Sequence, residues 1–170
     1  MKKGPGIVIL LLLLSCSQTP RFEIKGIVSD SRQSIIYLDE QEVERNTPID
    51  SFKISKNGSF RFMGKIDYPK FYNLHLGNNQ IIPLLISPGE KVYIRTRGDS
   101  FNKDYTVEGS DGSQNIKLLN DTLSFTIKNL DSLEAFFSNP SLSAERMHEI
   151  QQEYINIIEK QRNFTLRFVL

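Results

Sequence analysis

The chain has 170 residues, 21 Lys and Arg against 20 Asp and Glu, a formal net charge of +1 and 39% hydrophobic residues. That balance excludes a protein tuned for nucleic acid and a charged disordered tail, and it suits one folded domain with an appendage. A single cysteine excludes an intramolecular disulfide and a dithiol centre within these residues.

The first element in chain order is a leader. Lys2 and Lys3 precede an apolar run, Ile7 to Leu14, that is too short to span a bilayer and ends at the small residue Ser15. Leu13-Leu14-Ser15-Cys16 matches a bacterial lipobox, with Leu14 where Ala or Ser is commoner. Cys16 is therefore expected to be diacylated and to become the first residue after cleavage. Loss of residues 1–15 removes Lys2 and Lys3, leaving 19 basic against 20 acidic side chains and a net charge of −1. Acyl chains contribute about 0.8 kcal/mol per buried CH₂, so two or three of them hold a soluble domain on a membrane. Ser17 is not Asp, and Ser17-Gln18-Thr19-Pro20 holds no acidic cluster. By resemblance to bacterial sorting rules, that points to the periplasmic face of the outer membrane.

After a tether at residues 16–21, residues 22–109 read as about eight short strands. Phe22, Ile24, Gly26 and Val28 alternate with charged Glu23 and Lys25, and "SIIYLD" (34–39) and "IDSFKIS" (49–55) follow. Asn57-Gly58 is a strong hairpin signal and predicts that "IDSFKIS" pairs antiparallel with "SFRFMGKI", where Phe60 and Phe62 share a face. Further strands are "KFYNLHLG", "QIIPLLIS", "EKVYIRT" and "DYTVEG", with Pro88-Gly89 as a tight turn. Pro83 cannot donate to a ladder, so its strand belongs at an edge or a bulge. The expected fold is mainly β, an antiparallel sandwich or open barrel, followed by a helical hairpin over residues 110–170.

From Ser110 the period becomes helical. Ile116, Leu119, Leu123, Ile127, Leu130, Leu133 and Phe137 form one predicted seam, with Ser110 or Asp111 as N-cap and Asn139-Pro140 as the stop. A second seam, at heptad spacing, is Met147, Ile150, Tyr154, Ile157, Gln161, Phe164 and Phe168. The ending "RFVL" reads as a helix cut short.

No residue set converges on catalysis, and the expectation is a chain without enzymatic activity, metal or cofactor. His75 and His148 have no Cys or His partner at ligand spacing and are expected to be solvated. Asp39, Glu40, Glu42 and Glu44 form an acidic stretch without the ordered ligands of a calcium loop, and are expected to be a solvated loop. "GSDGSQN" lacks the Lys of a phosphate cradle, so capping explains it better. The aromatics Phe60, Phe62, Phe71, Tyr72 and Tyr93 are assigned mostly to the core rather than to a groove. Asp121-Thr122-Leu123 and Asp131-Ser132-Leu133 resemble a short O-glycosylation motif, but both fall in the predicted helix.

Ile49-Asp50-Ser51, Asn57-Gly58-Ser59-Phe60, Pro88-Gly89-Glu90 and Gly109-Ser110, in this order and spacing, resemble the β-rich domain of unknown function that precedes a thioredoxin-like domain in many Bacteroidota lipoproteins. The likeness covers about residues 22–137. In longer members the downstream domain carries a Cys-x-x-Cys pair, which these residues lack. Two readings result. One is a membrane-anchored, non-catalytic interaction module, whose partner is a periplasmic protein or a second copy joined through the helices. The other is the amino-terminal part of a thiol-disulfide oxidoreductase.

Overall fold

The computed structural model describes residues 20–77, 79–137 and 142–169. Alternating apolar residues give eight strands: β1 (Arg21–Ser29), β2 (Ile35–Gln41), β3 (Asn46–Lys53), β4 (Ser59–Lys65), β5 (Lys70–His75), β6 (Ile81–Ile86), β7 (Lys91–Arg97) and β8 (Tyr105–Glu108). Two helices follow, α1 (Asp111–Phe137) and α2 (Ala144–Val169). The strands form two sheets, β4-β1-β7-β8 and β3-β2-β5-β6, which stack as a sandwich and do not close into a barrel. All pairings are antiparallel except β1 with β7.

Between the sheets lies one apolar core. Ile24 of β1, Ile94 of β7, Ile36 of β2, Leu74 of β5 and Leu84 of β6 are fully buried within it. Phe22 and Tyr72 meet across the layers at 5.3 Å between ring centres, and Phe52 and Phe62 at 6.2 Å. Phe60, Phe62 and Tyr72 thus belong to the core, as the sequence predicts.

The Asn57-Gly58 turn forms, but the strands that flank it do not pair with each other. Gly58 has φ +81°, and Ser55 N–H donates to Ser59 O across the turn. Beyond it the chain splits, β3 pairing with β2 and β4 with β1. Val28 N–H donates to Gly58 O, which ties the turn to β1 in the other sheet. The inward aromatics on the two sides of the turn then face each other across the core instead of lying side by side. A local turn signal sets the reversal and does not decide which sheet each arm joins.

On the opposite side of the sandwich, β6 and β8 are the edges, and α1 packs against both. Pro83 sits on an edge strand, as expected. Ser110 is the N-cap of α1: its Oγ accepts from Ser113 N–H and donates to Leu85 O at 2.9 Å. Ser113 Oγ accepts from Leu85 N–H at 3.1 Å and donates to Leu85 O at 3.0 Å. Two buried hydroxyls thereby satisfy the backbone of Leu85 on the β6 edge.

Tyr105, at the start of β8, is buried, with the Lys117 ammonium 4.9 Å from its ring centre. Burial first, and the Asp121 carboxylate second, push its phenol up to about 12. An unfolded tyrosine ionises near 10, so the folded state keeps a proton that the unfolded state has lost. Stability from this group is expected to fall as pH rises from about 10 to 12, by about 2–3 kcal/mol in total. Urea titrations of wild type and Tyr105→Phe across that window test this. Equal pH slopes for the two proteins would sink the assignment.

The helices run antiparallel: Thr126 Oγ1 donates to Gln161 Oε1 at 2.8 Å, and Phe137 meets Tyr154 edge-on at 6.0 Å. Ser143 caps α2 through its Oγ, which accepts from Arg146 N–H. On α2 the predicted seam faces inward from Met147 to Phe164, while Phe168 is exposed. On α1 Leu133 is buried and Leu119 and Leu130 are half-buried, yet Leu123 and Ile127 face outward and Thr126 takes the seam. The serines that fix the first turn to β6 also fix the rotational phase of the helix. A sequence pattern alone does not contain that phase.

Candidate interaction face

Strand register places outward residues of each sheet in rows. Across β4-β1-β7-β8 one row reads Arg61, Lys25, Tyr93 and Glu108. The neighbouring rows mix charge with the exposed Met63 and Ile27: Arg61 pairs with Glu23 at 2.7 Å, Arg95 pairs with Glu108 at 2.7 Å, and Arg95 lies over Tyr93. This is the expected solvent face of an antiparallel sheet. Tyr93 is therefore an outer-face residue and not core.

Across β3-β2-β5-β6 the outward rows are different. One reads Ser51, Tyr37, His75 and Ile81; the next reads Pro48, Asp39, Asn73 and Pro83. The third, Asn46, Gln41, Phe71 and Leu85, ends at the residue held by α1. A bulge between Leu38 and Asp39 leaves Ile49 as the extra residue of β3, 48% exposed. Tyr37, Phe71 and Ile81 are also exposed. The result is an apolar and aromatic face with a polar centre, and it differs from the charged face behind it.

The polar centre is tightly organised. The His75 ring stacks on Tyr37 at 5.1 Å and 16°. Gly77 O lies 3.1 Å from Nδ1 and can only accept, so Nδ1 carries a hydrogen. Nε2 is buried and 3.2 Å from Asp39 Oδ2; that distance is in ion-pair range, but the alignment makes no hydrogen bond. Asn73, also buried, donates to Asn46 Oδ1 at 3.4 Å. His75 is thus not the solvated residue that its sequence context predicts. The outward strand position holds, while the neighbouring strand supplies a ring and a carboxylate that cover it. His148 is exposed on α2.

The acidic stretch also divides. Asp39 and Glu40 lie within β2 rather than in a loop, and Glu40 pairs with Lys70 at 2.6 Å in a part-buried contact. That partner holds the Lys70 ammonium above its usual range. Burial, and then the Glu40 charge, raise the Tyr72 phenol beside them. Glu42 and Glu44 are the exposed turn, where Arg45 lowers the Glu42 carboxyl. Alternation in "IIYLDEQ" continues through the acidic residues, a signal that their charge masked.

Two other concave regions lie at the loops and are lined mostly by polar residues. Clefts of about 560 and 790 Å³ flank the β1–β2 turn, lined by Ser31, Arg32 and Gln33 on both sides, where Asp30 holds φ +52°. Neither brings together a nucleophile and a base. The leader and Cys16, the expected lipidation site, lie outside the described residues, as do Asn139 and Pro140. Among the described residues no helix is long and apolar enough to cross a membrane.

These features define a two-layer β-sandwich with a helical pair fixed to its open side. The chain belongs to the family described as Domain of unknown function (DUF4369), which it matches over residues 22–116. That span holds the whole core and the first turns of α1, so Ser110 and Ser113 lie inside the family unit. No curated protein matches the sequence.

Proposed function

We propose that the chain is a membrane-anchored, non-catalytic interaction module of the cell envelope. Acyl chains on Cys16 hold it at the periplasmic side of the outer membrane, and the outer face of β3-β2-β5-β6 meets a protein partner. The observation that carries this reading is the asymmetry of the sandwich. One outer face is laced with ion pairs and exposes Ile27 and Met63 among them, whereas the other exposes Tyr37, Ile49, Phe71 and Ile81 around a buried polar centre. Exposed apolar and aromatic side chains gathered on one sheet face mark an interaction site. Photo-cross-linkers placed in intact cells at Phe71 and at Ile81 are expected to trap the same discrete adduct, and one placed at Arg61 is expected to trap none. Equal trapping from both faces removes the support for this surface. The anchor has its own test: Cys16→Ala is expected to move the chain from the membrane to the soluble fraction. If that variant still sediments with membranes, the lipid anchor is wrong.

A second reading, the amino-terminal module of a thioredoxin-like oxidoreductase in a Bacteroidota lipoprotein, draws on the resemblance above. The apolar residues on both sides of the helical pair would give such a domain something to pack on. Sequencing the reading frame that follows Leu170 tests it. A frame without Cys-x-x-Cys ends that reading.

A further inference from the structure

Thr126 and Gln161 fix which sides of α1 and α2 face each other. From Thr126, steps of 100° per residue put Leu123, Ile127 and Leu130 on one side of the seam and Phe125 on the other. On α2, with Tyr154 and Gln161 facing α1, the same sense of rotation puts Ile155 and Ile158 to one side and Ile157 and Phe164 to the other. In an antiparallel pair these sides coincide: residues that follow the seam on both helices lie on one face. The groove on the opposite face, about 350 Å³ and lined by Phe125, Ile157 and Phe164, agrees with this handedness.

The face formed by Leu123, Ile127, Leu130, Ile155, Ile158 and Leu166 is aliphatic on both helices. Leu123, Ile127, Ile155, Ile158 and Leu166 are each 43% to 50% exposed. Two helices alone cannot bury such a face, and pairing with a second hairpin gives a four-helix bundle. We propose that this face is a dimer interface, on which the same face of a second copy of this chain packs. This goes beyond the reading above and does not depend on the sheet face or on the anchor.

Size selects a second copy as the occupant: those five exposed side chains present roughly 400 Å² of aliphatic surface, which at about 60% apolar content means an interface of about 700 Å² per copy, near the ~800 Å² of a stable pair, and a two-fold arrangement brings like aliphatic surfaces together.

The test is the mass of the full-length protein in mild detergent by light scattering, with the detergent contribution subtracted. Wild type is expected at twice the chain mass. Ile127→Asp with Ile158→Asp is expected at a twofold lower mass with an unchanged far-UV spectrum, and Phe125→Asp is expected to remain a dimer. A photo-cross-linker at Ile158 in the otherwise wild-type chain guards against misfolding of the aspartate variants. In a mixture of isotopically heavy and light chains it should join heavy to light through residues 116–134 or 151–166. A monomeric wild type, a dimer indifferent to the double substitution, or a cross-link to any other region overturns the proposal.

Discussion

Replacing Gly26 with alanine is expected to abolish the folded sandwich, with a loss of more than about 4 kcal/mol in urea denaturation. Gly26 sits in β1, between Phe60 of β4 and Ile94 of β7. A Cβ there would lie 2.0 Å from the Ile94 carbonyl oxygen and 2.9 Å from the Phe60 ring. The ring could turn aside, but the carbonyl cannot move without loosening the β1–β7 ladder, which holds the sheet together at its centre. Gly77→Ala is the contrast. Its Cβ would meet no atom closer than 3.5 Å, and the cost there is that of a left-handed backbone, φ +71°, about 1 kcal/mol. If Gly26→Ala proves no more costly than Gly77→Ala, the close approach of β1 and β7 is wrong.

The second large effect is expected at the junction of helix and sandwich. Ser113→Ala removes the acceptor of the Leu85 N–H in a place closed to water, and Ser113 itself has no exposed surface. An orphaned buried donor costs about 1–3 kcal/mol. Ser110→Ala removes the cap on Ser113 N–H and one donor to Leu85 O, about 1–2 kcal/mol. Because either hydroxyl alone still satisfies Leu85 O and only the double variant leaves it without a side-chain donor, the double variant should lose more than the sum of the two. Hydrogen exchange should then accelerate at Leu85 and in the first turns of α1 before it does so in β1 or β7. Single losses below about 0.5 kcal/mol, with unchanged exchange, would mean that the serines do not hold the helix.

The alternation of Phe22, Ile24 and Val28, and of Ile82, Leu84 and Ile86, made each strand legible, because period two is a property of the chain itself. The proline at residue 83 correctly announced an edge. Pairing was less legible: "IDSFKIS" and "SFRFMGKI" look like a hairpin from any local window, and their ladders with β2 and β1, strands outside that window, put them in different sheets. The same limit applies to α1, where Leu123 and Ile127 belong to the most regular apolar run yet lie outside. Their orientation is set by hydrogen bonds to a strand 25 and 28 residues earlier in the chain. The candidate face was hidden for a related reason. Tyr37, Asp39, Phe71, Asn73 and His75 are ordinary outward positions until the register between β2 and β5 brings them together.

The parallel pairing of β1 with β7 has a consequence for when the molecule can fold. Glu23 to Ser29 find their partners at Lys91 to Arg97, so the first strand waits for almost the whole sandwich to be available. Contacts so distant in sequence carry a large loop-closure penalty and slow the search. In a chain emerging from a ribosome or threading through a translocation pore, β4 can pair one side of β1 early, but the side that β7 covers would stay an open edge until the last strands are out. Chaperones that bind extended apolar segments would find their window there.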